Sequence, residues 1–596
     1  MPLNDLTWNT AQLYASPDSP VLESELESFN QLAEDFRNQY LEKVALLDNP
    51  ALLAAIVEYE NLQTRMSKPF CYAHLLFASD SGNEIHRALA QRCSELGSRL
   101  SQQLLFFDLE LMELDNDRFE LFCPLPEAAN YLHFLKCIRK FRPHTLKENE
   151  ERLLTRKDLT GVRAFSKLFD ELSASFSYTM EIDGVEKSFT GEELLSLLHN
   201  PAADIRFRAM TTFLEKHGDH GIVFNAVFNN MALDHGQDME LRNYTSPIQP
   251  TNIGNEISDE AVEELMNVTE ANYGLAQEYF RLKAVMLGME KLKNCDIYAP
   301  VAEVEKIFDF SEARSLVVDA YRDYDPEFGR IVDAFFSDRR VDVLPRTGKS
   351  GGAFAMGITP EVPPFLLLNY TGTLRDLATI AHESGHGLHF VLSQKQGMLN
   401  YHAPLPLAET ASVFGEMLLT RRMLNDESDP IVRKSLLCAK IEDIIATTFR
   451  QTVLTRFELR LHSERKNGLL SNNRIADIWL EENGKLFGDS VEMIPAYRWG
   501  WSYISHFIHS RFYCYSYTFA ELLVLALFQK YREYGDSFKS GYQKLLESGG
   551  SLSPADTARL AGIDINAGDF WQKGYDFLGE LIAELKALVS EEEDSK

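Results

Sequence analysis

The sequence has little cysteine, no membrane-length apolar run and a shortage of positive charge, and each lack narrows what the chain does. Its seven cysteines (Cys71, Cys93, Cys123, Cys137, Cys295, Cys438 and Cys514) are odd in number, scattered and never arranged as C-x-x-C. That excludes a disulfide framework and a thiolate zinc site, and it predicts reduced structural thiols. No uninterrupted apolar run is long enough to cross a bilayer, and the opening MPLNDLTWNT lacks a basic stretch followed by an apolar core. The expected location is the cytosol, with no membrane partner. Lys and Arg number 59 against 89 Asp and Glu, for a net charge of -30; without a basic face, nucleic acid is not an expected partner either. A phosphate loop is excluded too, because GKS at Gly348 to Ser350 requires glycine five residues before Gly348 and the sequence has Val343.

What is present is an ordinary globular composition, 45% hydrophobic and 25% charged, spread over 596 residues. One hydrophobic core does not reach that size, so two or more lobes are expected. Leu22, Leu26, Phe29, Leu32, Phe36, Tyr40 and Val44 step by three or four, the stripe of a long amphipathic helix, and similar patterns continue to about Pro143. SFSYTMEIDGVEKSFT then reads as a hairpin turning at Asp183-Gly184, with Thr190 and Glu193 as a capping box opening the next helix. A lobe boundary is expected near residue 200, giving an N-terminal helical lobe 1–200, a second domain 201–585 and a frayed acidic tail 586–596. TSPIQPTNIG reads as a loop, and His235, beside Asp234 and Asp238, as part of a solvated helix face. Phe354 to Ile358 and Phe365 to Tyr370 read as two short strands. The fold class is therefore mainly α with a small β element.

That β element directly precedes Thr371 to Gly397, TGTLRDLATIAHESGHGLHFVLSQKQG. H-E-x-x-H on a helix puts His382 and His386 one turn apart on one face, within reach of a single metal ion, with Glu383 beside it as a base. Thr373 and Asp376 form a capping-box pattern, apolar residues recur at helical spacing, and Lys395 with Gly397 marks the stop. Gly385 and Gly387 each cost a helix about 1 kcal/mol relative to alanine, so the backbone there is expected to pack close to something, the site being the first candidate. Catalytic zinc takes three protein ligands and leaves one position open. A metzincin ligand set fails, since positions 389 and 392 hold His389 and Leu392 instead of glycine and histidine. PLPLAETASVFGEMLL instead leads two prolines into a helix carrying Glu409 and Glu416 on one face, and a carboxylate from it completes a His2Glu set. Gly351 and Gly352 suit close approach of a ligand or a tight turn, and an edge strand here offers main-chain hydrogen bonds to an extended peptide.

These residues resemble the thimet-oligopeptidase superfamily of zinc peptidases, and within it the oligoendopeptidase F branch. The resemblance rests on H-E-S-G-H with His389 after it, on LLLNYTGTLRDLATIA and PLPLAETASVFGE, and on HFIHSRFYCYSYTFAE downstream, and it covers about 110 to 580. It implies an oligoendopeptidase N-terminal region at about 110–190, a zinc peptidase domain over 201–585, and two helical lobes enclosing a deep channel. It also implies one Zn2+ per chain on His382, His386 and Glu409, with Glu416 and His389 behind the ligands. Glu383 would be the general base, Tyr515 the oxyanion contact and His506 its neighbour beside the substrate, with Tyr513 and Tyr517 as alternatives. Gly352, Ala353, Phe354, Tyr513 and Tyr517 would line the substrate. The function so implied is endopeptidase cleavage of short peptides by activated water. Two other readings stand beside it. One is a peptide-binding protein of the same fold without catalysis, against which the intact His382, Glu383, His386 and Glu409 argue. The other is a zinc aminopeptidase, for which GGAFAMG lacks an acidic residue to take the substrate amine. The oligomeric state is not readable.

Overall fold

Helical periodicity dominates the structure as it does the sequence. The computed structural model describes residues 6–301, 307–567 and 569–594, with 71% of residues in helices and 4% in strands, which fixes the class as mainly α. Among the described residues no helix is long and apolar enough to cross a membrane. The chain forms two compact units, each assembled from three stretches: Met1–Arg142, Glu305–Asp426 and Leu527–Ile565 make one, and Pro143–Val304, Glu427–Ala526 and Asn566–Lys596 the other. These units do not follow the expected division at residue 200. Stretches distant in sequence share one core, which local composition does not reveal.

In the first unit the predicted stripe becomes the helix Pro20–Tyr40, burying Leu22, Leu26, Phe29, Phe36 and Tyr40. It packs with Asn49–Ser79 and Glu84–Glu113. Their starts are capped by Asp48 and Asn83, whose side chains accept backbone N–H groups that helix ends leave unpaired. A three-stranded sheet lies against this core through Phe365 and Leu367. Its central strand Phe365–Leu367 runs parallel to Val341–Asp342 and antiparallel to Phe354–Met356, with Ala355 opposite Leu366. Phe354–Met356 is thus an edge strand, as expected.

The second unit contains the predicted hairpin, Tyr178–Ile182 paired with Val185–Phe189, after the helices Glu148–Asp158 and Val162–Ala174. Asp183 and Gly184 both have positive φ, 54° and 75°, the turn geometry that matches strand twist. The Thr190–Glu193 capping box is formed. Three expectations are corrected in this unit. Gln249–Asn255, within the expected loop, is a short helix. His235 is buried instead of solvated: its Nε2 lies 2.7 Å from the Pro247 carbonyl and its ring packs on His462 and Phe512. The helix Phe570–Asp594 runs through most of the expected tail, because Ile582, Leu585 and Val589 continue its buried stripe.

Candidate metal centre

The helix Leu374–Ser393 starts at the Thr373 and Asp376 capping box and stops four residues before Gly397. Its glycines explain the next element. A Cβ on Gly385 would lie 2.3 Å from the Ala411 carbonyl oxygen and 2.6 Å from the Ser412 Cα, so only glycine lets the backbone of Thr410–Asp426 come this close. Gly387 faces the Phe335 ring and Leu366. Gly415 answers Gly385 from the other helix: a Cβ there would meet the Tyr321 hydroxyl, which donates to the Ala381 carbonyl at 2.7 Å. The close approach inferred from the glycines is therefore to a second helix, not to a ligand.

That second helix delivers the third donor. Leu405–Ala408 makes one turn behind Pro404, and Glu409 caps it, immediately before Thr410–Asp426. Glu409 lies at the junction and not within the first turn of the long helix. His382 Nε2, His386 Nε2 and Glu409 Oε2 form a nearly equilateral triangle, with sides of 3.2, 3.3 and 3.3 Å. Zinc bonds of about 2.0–2.1 Å at tetrahedral angles separate donor atoms by roughly 3.3 Å, so these residues fit such an ion. Although burial works against it, His382 and His386 hold the Glu409 carboxyl well below its ordinary range, keeping it an ionised donor. Around the triangle, Glu416 Oε1 lies 2.6 Å from His382 Nδ1, which fixes the ring and leaves Nε2 for the ion. Ser412 Oγ donates to Glu409 Oε2 at 2.7 Å. The buried His389 bonds to the backbone of Ala408, next to Glu409; burial and the neighbouring His386 push its pKa down to about 4, so it stays neutral there.

Glu383 is also buried, and its Oε2 has no hydrogen-bond partner. Burial raises its pKa, while the two imidazoles and the Ala355 backbone N–H of the edge strand oppose the rise. A desolvated carboxylate oxygen without a partner costs about 1–3 kcal/mol, an expense seen where a group is kept for reaction. Beside this strand, Gly352 has φ +74°, open space around its missing Cβ, and a carbonyl held by Asn369 Nδ2 at 2.8 Å. Ala353 and Phe354 follow it, part-exposed.

The remaining predicted residues belong to the second unit. His506, Tyr513 and Tyr517 are part-exposed and cluster: His506 Nε2 lies 3.3 Å from the Tyr517 hydroxyl, and the Tyr513 and Tyr517 rings meet edge to face at 4.9 Å. Tyr515 is not among them. It is fully buried, and its hydroxyl accepts from Asn255 Nδ2 at 2.8 Å. The helix Tyr515–Tyr534 starts at this residue, so Tyr513 precedes it, and within it positions 515 and 517 fall on opposite sides. Sequence reasoning also missed Tyr321 and Ala355. Gly415 was the available signal for the first; for the second there was none.

Residues 196–577 match the model of peptidase family M3. The chain belongs to peptidase family M3. It is accordingly a metalloendopeptidase that acts on peptides. Residues 110–178 match the oligopeptidase F region found ahead of the M3 domain. Group B oligopeptidase PepB of Streptococcus agalactiae is 25% identical to this M3 peptidase, over 91% of each chain. Oligopeptidase PepF of Bacillus subtilis is 24% identical, over 98% of this chain and 87% of its own. The fold is shared with a peptidase structure from Chlamydophila abortus (TM-score 0.89, 24% identity, 98% of both chains) and with oligoendopeptidase F of Enterococcus faecium (TM-score 0.71, 23% identity, 96% of this chain and 98% of that one).

Proposed function

We propose that this M3 peptidase is a zinc-dependent endopeptidase that cuts internal bonds of short oligopeptides in the cytosol, with Glu383 as its general base. The observation that carries the reading is the triangle of His382 Nε2, His386 Nε2 and Glu409 Oε2 beside the partnerless Glu383 Oε2. The oligopeptidase names of its relatives support the substrate class, and seven cysteines outside any disulfide support a reducing compartment.

Zinc in such a site supplies Lewis-acid polarisation and a nucleophile at neutral pH. The chain's own residues do the rest. Glu383 Oε2 takes a proton from the attacking water as oxygen bonds to the scissile carbonyl carbon, then passes it to the departing amine nitrogen as the C–N bond breaks. Burial, which raises its pKa, brings that carboxylate closer to working pH. Glu416 holds the His382 ring in place, and His389 holds the Ala408 backbone next to Glu409. The segment from Gly352 to Phe354, leading into the edge strand Phe354–Met356, lies along the substrate main chain. For the oxyanion, Tyr513 and Tyr517 are preferred over Tyr515, whose hydroxyl is committed to Asn255 in the interior.

An internally quenched peptide series of increasing length, run before and after chelation and with zinc restored, tests the reading. Cleavage inside short peptides, lost on chelation and recovered with zinc, is expected. Metal-independent turnover, or rapid degradation of a stably folded protein, contradicts it.

A further inference from the structure

Arg450 is held by tyrosine hydroxyls where two other arginines of its helix are held by carboxylates. On the same helix, Phe449–Arg465, Arg456 pairs with Glu263 and Glu270, and Arg460 with Glu481 and Glu482. Arg450 has no carboxylate partner among the described residues. Its two terminal nitrogens donate instead to the hydroxyls of Tyr298 at 3.1 Å and Tyr503 at 3.0 Å. It also stands in the first turn of its helix, where the unpaired N–H groups and the helix dipole are already positive and a cation is disfavoured. The other groups near it are Tyr497, His506 and Cys514, none of them acidic.

The hydrogen-bond inventory is unbalanced in one direction. A guanidinium has five N–H donors, and Arg450 spends two on the tyrosines. Each of those hydroxyls accepts from Arg450, and neither donates to any protein group among the described residues. The cluster therefore offers further N–H donors and two phenolic O–H donors with no acceptor. All three side chains keep some exposure, so an incoming group can reach them. Planar, forked donors of this kind match a carboxylate.

We propose that Arg450, Tyr298 and Tyr503 bind a carboxylate of the peptide substrate, at its C-terminus or on an acidic side chain. The site rests on the peptidase reading for its ligand, and it sets which peptides are taken.

Matched peptides test it: each sequence is made as the free acid and as the C-terminal amide, and each with Glu at one position replaced by Gln. The wild type is expected to favour one carboxylate-bearing form by about 10- to 100-fold in kcat/KM, as for a hydrogen bond to a charged group. The acid-amide arm reads the C-terminus, and the Glu-Gln arm reads the side chain. Arg450→Gln is expected to bring that ratio to near one, and Arg450→Lys to keep part of it. Calorimetric binding of the same pairs to the Glu383→Gln protein reads the site without turnover. Equal binding and equal kcat/KM across all pairs in otherwise wild-type surroundings would overturn the carboxylate site even if Arg450→Gln does not fold. Absence of hydrolysis with preferential binding intact would instead count against the endopeptidase reading and for the site.

Discussion

The paired helices of the metal centre and the segment from His506 to Tyr517 both bring imidazole and oxygen atoms close together, yet they are held by opposite means. In the first, backbone rests on backbone: Gly385 against Ala411 and Ser412, and Gly415 against the Ala381 carbonyl. Ligand positions are then fixed by main-chain contacts that no rotamer can relax. In the second, side chains hold an irregular backbone. Phe512 sits at φ 56°, a conformation a phenylalanine adopts at a cost. Its N–H donates to the buried Glu458 Oε2 at 2.9 Å, and its ring lies between His235 and His462. Burial raises the Glu458 pKa to about 8, so this support is a buried acid and not a packed main chain. The first arrangement suits a fixed three-atom geometry, and the second suits donors that adjust to a substrate.

Substitutions that touch only one region sharpen this contrast. The largest effect is expected at Glu383→Gln, which keeps the shape and the metal but loses the base; turnover should fall about 10³-fold or more, and hydrolysis within tenfold of wild type at full metal content rules Glu383 out as the base. Next comes Gly385→Ala. Its new methyl must push the Thr410–Asp426 helix away, with an overpacking cost of about 1–3 kcal/mol and weaker metal binding. The same change at Gly236, a mid-helix position with open space around its missing Cβ, should stabilise by about 0.5–1 kcal/mol. Denaturant melts of the two proteins must shift in opposite directions.

Much of the first region could be read from sequence, because two ligands and the base share one helix and local spacing fixes their relation. Glu409 was legible for a related reason: paired prolines set the start of its helix, leaving one carboxylate at the junction and another two turns on. The three tyrosines resisted reading because the helix starts at Tyr515, between Tyr513 and Tyr517, so no single period relates them. Tyr515 bonds to Asn255, 260 residues away in the chain, and nothing local announces such a partner. His235 failed likewise, since its acceptor is the Pro247 carbonyl of a loop folded back over the helix. Two lobes were expected, but their make-up was not legible, since each unit is built from stretches that meet only in the folded chain.

The tyrosines give a smaller test. Tyr513→Phe and Tyr517→Phe are expected to lower kcat, by up to the 10²-fold typical of one oxyanion donor, with unchanged melting. Tyr515→Phe should cost about 1 kcal/mol of stability with kcat retained; a kcat loss confined to Tyr515→Phe restores it as the oxyanion contact. The smallest effect is on acid stability. Burial lowers the His235 pKa to about 4 and pushes His462 down as well, so the unfolded chain binds more protons between that range and about 6.5. Their contribution is complete above about pH 6.5 and is lost as pH falls toward 4. From pH 7 to 6 the loss is under about 1 kcal/mol for each group. His235→Gln should flatten the slope of melting temperature against pH in this window, and an unchanged slope would mean that His235 titrates alike in both states.

The assignment of the three metal donors meets its most direct test in zinc affinity, measured under one chelator competition for the wild type, Glu409→Ala and Glu416→Ala. The wild type should bind one ion per chain. Glu416→Ala should lose about 10- to 100-fold in affinity, as for a residue that orients a ligand, and Glu409→Ala should lose more, since two imidazoles alone would then hold the ion. Retention of the metal by Glu409→Ala together with its loss from Glu416→Ala would contradict the triangle of His382, His386 and Glu409.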